Sequence, residues 1–228
     1  MRIRVWDLPT RLFHWLLVAA VAGAFVTAKL GGNAMPWHGR IGLFIVGLLV
    51  FRLVWGFVGS THARFASFVR GPAAIRDYLA GRWQGVGHNP LGALSVLALL
   101  GVLVIQAATG LFSHDDIAFS GPLARLLESD CVSDLSSVHR SLEPVLIVFV
   151  VLHIAAIAFY ARVKKHDLVV PMITGWTEGD ESQSAQGGGA LAFIAALAIA
   201  IAAVIAVSGV LLPEPPLPEV NPANAPDW

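Results

Sequence analysis

The chain has 228 residues, 56% of them hydrophobic and 13% charged, about half the charged share of an ordinary soluble domain. That balance excludes a water-soluble globule and points to one helical membrane domain built from several bilayer-crossing segments. Lys and Arg total 15 and Asp and Glu total 15, so net charge indicates no nucleic-acid partner. The single cysteine, Cys131, excludes an internal disulfide, and no CxxCH motif is present.

In chain order, Met1 to Arg11 is polar and basic, and the apolar run behind it lacks a small-residue cleavage site, so it reads as a retained first span. Apolar stretches at roughly 12–30, 39–58, 90–112, 138–163 and 190–212 each approach the ~20 residues a spanning helix needs. Between the second and third, residues 59–87 form an amphipathic connector carrying Arg64, Arg70, Arg76 and Arg82, suited to an inner headgroup surface or to a solvated basic loop. TEGDESQSAQGGG at 177–189 reads as a flexible cytoplasmic linker, and PEPPLPEVNPANAPDW at 213–228 as an extended proline-rich periplasmic tail. The organisation expected is therefore a core over 1–175, a linker over 176–189, a fifth span over 190–212 and the tail. With the N-terminus cytoplasmic, Arg2, Arg4, Arg11, the connector arginines, Arg52, Arg162, Lys164 and Lys165 all lie inside, leaving Lys29, Arg40, Arg125 and Arg140 outside. Trp6, Trp37, Trp55, Trp83 and Trp176 fall near span ends, as an interfacial aromatic belt requires.

Four of the histidines, His14, His38, His139 and His153, sit within or at the mouths of these spans, where polar side chains usually face a bundle interior. His139 and His153 are 14 residues apart on the fourth stretch, which brings them to within about 40° of one helix face and about 21 Å apart along it. One face thus offers an imidazole near each side of the bilayer. A low-spin b-type haem takes two axial imidazoles, so each needs a partner of similar depth from another helix. Depth pairs His38 with His139 outside and His14 with His153 inside, with His88 at the start of the third stretch competing for the inner place. The alternative for the same set is a haem-free proton relay. His62, His114 and His166 fall in loops or at exposed span ends.

The stretches WDLPTRLFHWLL (6–17), WHGRIGLFIVGLLVFRLVWG (37–56), GHNPLGALSV (87–96), ATGLFSHDDI (108–117), SVHRSLEPVLIVFVVLHIAAIAFY (137–160) and MITG (172–175) resemble the bacterial cytochrome b561 family, which includes the b-type subunits of membrane-bound nickel–iron hydrogenases. The resemblance covers about 1–175. It implies an all-α membrane protein, an antiparallel four-helix transmembrane bundle with two haem b groups, here followed by a fifth transmembrane helix. It further implies bis-histidine ligation by His14, His38, His139 and His153, and electron exchange between the quinone pool of a bacterial inner membrane and a periplasmic partner such as a cytochrome c or a hydrogenase. Two features depart from the pattern: Pro144 lies between the two ligands of the fourth span, where it is expected to kink the helix, and the fifth span with its tail is additional.

Arg40 and Arg140 neighbour the outer histidines, and Arg11 and Arg52 lie toward the inner end; each is read either as a partner of haem propionates or as snorkelling to the interface, with Arg52 the strongest candidate because it interrupts an apolar helix. The outer side is acidic, through Asp115, Asp116, Glu128, Asp130, Asp134, Glu143, Glu214, Glu219 and Asp227, which suits steering of a basic electron-transfer partner or plain solubility. The same acidity opposes a superoxide-oxidising enzyme, whose anionic substrate it would repel. Small residues at 192, 195, 196, 200, 203 and 209 allow another helix close approach to the fifth span. A role for the chain as the anchoring subunit of a larger complex is a further reading. No Walker loop, HExxH motif or zinc cysteine cluster is present.

Overall fold

The computed structural model describes residues 1–213 apart from 84 and 118; the expected tail, with Glu214, Glu219 and Asp227, lies outside the described residues from 214 onward. Five long helices carry the fold: α1 (Leu8–Leu30), α2 (Met35–Val58), α5 (Pro90–Gly110), α6 (Ser129–Arg162) and α8 (Ala190–Val207). Each is long and apolar enough to cross a membrane. Short helices α3 (Phe65–Phe68), α4 (Pro72–Leu79) and α7 (Val169–Thr174) lie in the connections, and strand β1 (Arg2–Arg4) pairs antiparallel with β2 (Trp176–Glu178).

Local chemistry sets the helix starts. Asp7 caps α1, its Oδ1 accepting the Thr10 N–H at 2.7 Å, and Asn89 caps α5 by accepting from Gly92 N at 2.8 Å. Proline occupies the first turn of α1, α2 and α5, where its missing N–H would have found no intrahelical partner. Helix α1 stops at Gly31, whose φ of 61° turns the chain into α2.

Helix α1 packs on α2, α2 on α5 and α8, and α5 on α6, while α6 makes no comparable packing with α1 or α2. The core runs through Phe13, Leu49, Phe51, Trp55, Leu103 and Leu146. Val148, Val151, Leu152 and Ile154 point outward from α6, the surface expected of a helix solvated by lipid. β1 with β2 and the Ser60–Gly187 bridge gather residues 1–7, 59–83, 85–89 and 163–189 at one end. The Arg125 to Pro213 carbonyl bond (2.7 Å) and the Lys29–Glu143 ion pair (2.5 Å) mark the other.

Several expectations change. Helix α6 begins at Ser129 rather than near 138, because its first turns are amphipathic: Val132 and Ser136 are buried, and the Ser136 hydroxyl accepts the His114 N–H at 3.0 Å, while Asp130, Cys131 and Asp134 face outward. The helix continues unbroken through Pro144. Residues 176–189 are not a flexible linker. They supply β2, a reciprocal Asp180–Gln183 cap, and Ala185 N–H bonded to the Arg4 carbonyl at 2.7 Å. Helix α8 ends at Val207, not 212, and packs into the core instead of standing apart. Ala196 and Ala200 are buried, Phe193 meets Phe51 and Trp55 edge-on, and a Cβ on Gly47 would lie 3.0 Å from Val204. The small-residue spacing of the fifth span is thus used within the chain. Trp55 is fully buried rather than interfacial, whereas Trp37 and Trp176 are exposed.

Candidate functional site

At the end marked by Lys29 and Glu143, His38 in the first turns of α2 faces His139 on α6 with ring centroids 6.1 Å apart. The Nδ1 of His38 lies 2.9 Å from the Ala24 carbonyl, and that of His139 2.9 Å from the Gln106 carbonyl. A carbonyl only accepts, so each Nδ1 carries the proton and each Nε2 keeps its lone pair, the tautomer a metal ligand needs. Thr109 Oγ1 lies 3.4 Å from His139 Nδ1, and the Gln106 amide nitrogen lies 3.4 Å from His139 Nε2, where it donates to the lone pair that a metal would take instead.

Between the helices is a cavity of about 460 Å³ bordered by His38, Gly39, Gly42, Gly110, His139 and Arg140. Its glycines differ in what a side chain would meet. A Cβ at Gly39 would sit 2.8 Å from Phe119, and one at Gly110 2.8 Å from Cε1 of His139. At Gly42 a Cβ would meet nothing within 4 Å, so it would take cavity space instead.

At the other end, His14 on α1 faces His153 on α6 at 6.4 Å, with Trp15 edge-on to His14 at 5.0 Å. The His14 Nδ1 is sealed from solvent and has no hydrogen-bond partner. Both histidines of α6 therefore meet their depth-matched partners, and Pro144 does not disturb the 14-residue register. His88 goes elsewhere: its ring packs between Trp6 (4.7 Å) and Phe68 (4.5 Å), which argues against its competing for the inner place.

The arginines divide. Arg52 is 3% exposed, does not snorkel, stands 4.8 Å over the Phe65 ring, and has one guanidinium nitrogen sealed without a partner. Arg140 is exposed on the cavity border and donates to Ser137 Oγ at 3.4 Å. Arg40 is exposed and lies over Trp37 at 4.8 Å. Arg11 donates to the Ile173 carbonyl. On the acidic side, Glu143 pairs with Lys29, Asp116 with His114 at 2.7 Å, and Asp115 Oδ1 accepts from the Ile117 and Phe119 N–H groups. Much of that acidity serves local bonds.

Two residues that carry the site were not singled out in the sequence. Asp7 is buried and, besides capping α1, accepts Trp55 Nε1–H at 3.1 Å, tying α1 to α2. Gln106 orients His139. The signals were a D-x-x-T cap ahead of an apolar run and a lone amide within one.

These features accommodate haem b. Among the described residues no cluster of three or more metal-ligating side chains forms; the histidines come in facing pairs, which suits a metal whose other ligands a macrocycle provides. Two imidazoles bonded to one first-row metal at about 2 Å each place their ring centres about 6 Å apart, and the observed separations are 6.1 and 6.4 Å. The glycine-bordered cavity at the His38–His139 pair supplies room for a flat group. A family model described as prokaryotic cytochrome b561 matches residues 5–175.

The chain belongs to the prokaryotic cytochrome b561 family. It is a multi-pass membrane b-type cytochrome that works in electron transfer. Among its relatives, a probable Ni/Fe-hydrogenase B-type cytochrome subunit of Azotobacter chroococcum mcd 1 is 26% identical over 212 residues, covering 76% of this chain and 88% of the relative. The similarly described subunit of Azotobacter vinelandii is 26% identical over 215 residues, with the same coverage. A probable Ni/Fe-hydrogenase 1 B-type cytochrome subunit of Escherichia coli strain K12 is 24% identical over 158 residues, covering 54% of this chain and 66% of that one. No solved structure matches the chain.

Proposed function

We propose that the chain holds two haem b groups, one ligated by His38 and His139 and the other by His14 and His153, and conducts electrons across a bacterial inner membrane. The two facing imidazole pairs carry this reading. Bound haem b supplies a one-electron ferric/ferrous couple. His38 and His139 are held as Nε2 donors by the Ala24 and Gln106 carbonyls, so their geometry is set before the cofactor enters. Arg52, with its unpartnered guanidinium nitrogen, attracts the carboxylates of the inner group. Arg140, which borders the outer cavity, and Arg40, two residues after His38 near the start of α2, do the same for the outer group. The rise of α6 between its two ligands, about 21 Å, leaves a gap that the two macrocycles shorten.

The exchange partners are the membrane quinone pool and a redox protein on the outer side. The names of the relatives favour a hydrogenase-like partner over a cytochrome c. With the basic loops cytoplasmic, His14 and His153 form the inner pair, the N-terminus lies inside and the C-terminus outside.

The test is the dithionite-reduced minus oxidised spectrum of the purified protein with a pyridine haemochrome count. Two haem b per chain are expected, one lost in His38→Ala and the other in His14→Ala. A colourless protein would overturn the reading in favour of a histidine proton relay.

A further inference from the structure

The inner end contains a second polar feature that the histidine pairs do not use. A cleft of about 70 Å³ opens between the connector following α2 and the turn before α5, and its polar lining is His62, Ser67, Arg70, Trp83 and His88. Among the described residues no carboxylate lines it. The wall is fixed: Arg70 donates to the Ser67 carbonyl at 2.9 Å, and His62 Nε2 donates to the Gln183 carbonyl at 2.8 Å. His88 is clamped between Trp6 and Phe68 with Nδ1 sealed and unpartnered. A neutral imidazole keeps its hydrogen on the nitrogen that can be solvated, since a buried unmade N–H bond costs about 1–3 kcal/mol. The Nε2–H of His88 therefore serves the cleft.

The charge of this lining is positive through Arg70, and among the described residues no acid faces it. Burial first, then the charges of Arg52 and His62, hold His88 down to about 3. The N-terminus of α5 follows two residues later and adds partial positive charge.

We propose that this cleft binds a phosphate group, presented either by the headgroup of an anionic phospholipid or by free inorganic phosphate. Arg70 supplies charge and a forked donor, and the Ser67 hydroxyl and His88 Nε2–H supply neutral donors. A space of 70 Å³ takes about five water-sized groups, the number of heavy atoms in phosphate. Arg64 and Arg76 on the same connector add positive charge that attracts anionic headgroups, whereas Arg82 is paired with Asp77.

The test uses the full-length haem-loaded protein in mild detergent, stripped of lipid. Native mass spectrometry with added phosphatidylglycerol or phosphatidylcholine reports retained lipid, and a thermal-shift titration with inorganic phosphate reports the free ion. Arg70→Gln, a change at an exposed side chain, is expected to weaken binding at least tenfold with haem content unchanged; His88→Phe tests the floor of the cleft. One retained phosphatidylglycerol per chain, lost in Arg70→Gln, identifies the headgroup as the source. Stabilisation by inorganic phosphate that disappears in the same variant identifies the free ion. Binding of neither probe, or equal binding by wild type and Arg70→Gln, overturns the proposal. Haem stoichiometry, read on the same samples, judges the electron-transfer reading separately.

Discussion

Replacing Gly110 with alanine isolates the geometry of the outer histidine pair from its chemistry, since no ligand is removed. The added Cβ would lie 2.8 Å from Cε1 and 3.2 Å from Nδ1 of His139, so the ring must retreat by about 0.7–1.2 Å to reach ordinary carbon contact. That displacement carries Nδ1 out of hydrogen-bond range of the Gln106 carbonyl, now at 2.9 Å. The lost bond costs about 0.5–1.5 kcal/mol net and the overpacking about 1–3 kcal/mol. Together these weaken outer haem retention roughly tenfold to thousandfold. Gly101→Ala is the control, because it lies on the same helix and its added Cβ meets nothing within 4 Å. A haemochrome count with a redox titration reads the result. Gly110→Ala should lose or shift one haem and leave the other as in wild type, and Gly101→Ala should change neither. Two haems with unaltered spectrum and potentials in Gly110→Ala would refute the placement of His139 as an outer ligand.

Asp7→Ala removes the α1 cap, about 0.5–2 kcal/mol, and orphans the Trp55 N–H, about 1–3 kcal/mol. Denaturant unfolding in detergent should therefore show a loss of about 2–5 kcal/mol, with Asp7→Asn recovering part of it. Ala196→Leu forces a larger side chain into the fully buried seam between α8 and α2. It should lower stability by about 1–3 kcal/mol in the same assay, whereas a fifth span merely lying beside the core would tolerate it. His88, held down to about 3 in the fold against about 6.5 unfolded, stays neutral while the unfolded chain takes up its proton. Its contribution is therefore complete above pH 6.5 and fades as pH falls toward 3. Between pH 7 and 5 this single group accounts for up to about 2 kcal/mol. Thermal denaturation of His88→Gln should show a correspondingly shallower acid sensitivity, and parallel pH profiles would contradict the buried, neutral assignment.

The number of spans, their approximate places, the family and the pairing of histidines by depth were all legible in the sequence. Each depends on something that composition and period record directly. A spanning helix needs a long apolar run, an intramembrane imidazole needs a partner, and a 14-residue separation returns to one helix face whatever the rest of the fold does. The D-x-x-T cap at Asp7 was equally local. Tertiary contact decided the remainder. Polar residues 129–137 became helix because Val132 and Ser136 found a loop to pack against, and hydropathy marks where lipid contact ends rather than where a helix ends. The glycine-rich stretch after Trp176 was ordered by a strand from the opposite end of the chain, a pairing no local pattern encodes. Trp55, read as interfacial, and Arg52, read as a propionate partner or as snorkelling, both turned inward because Asp7, Phe65 and α8 close over them. His88 differs from a haem ligand only in its neighbours. Burial and partnership are properties of what surrounds a side chain in space, and those surroundings come together only when distant segments pack.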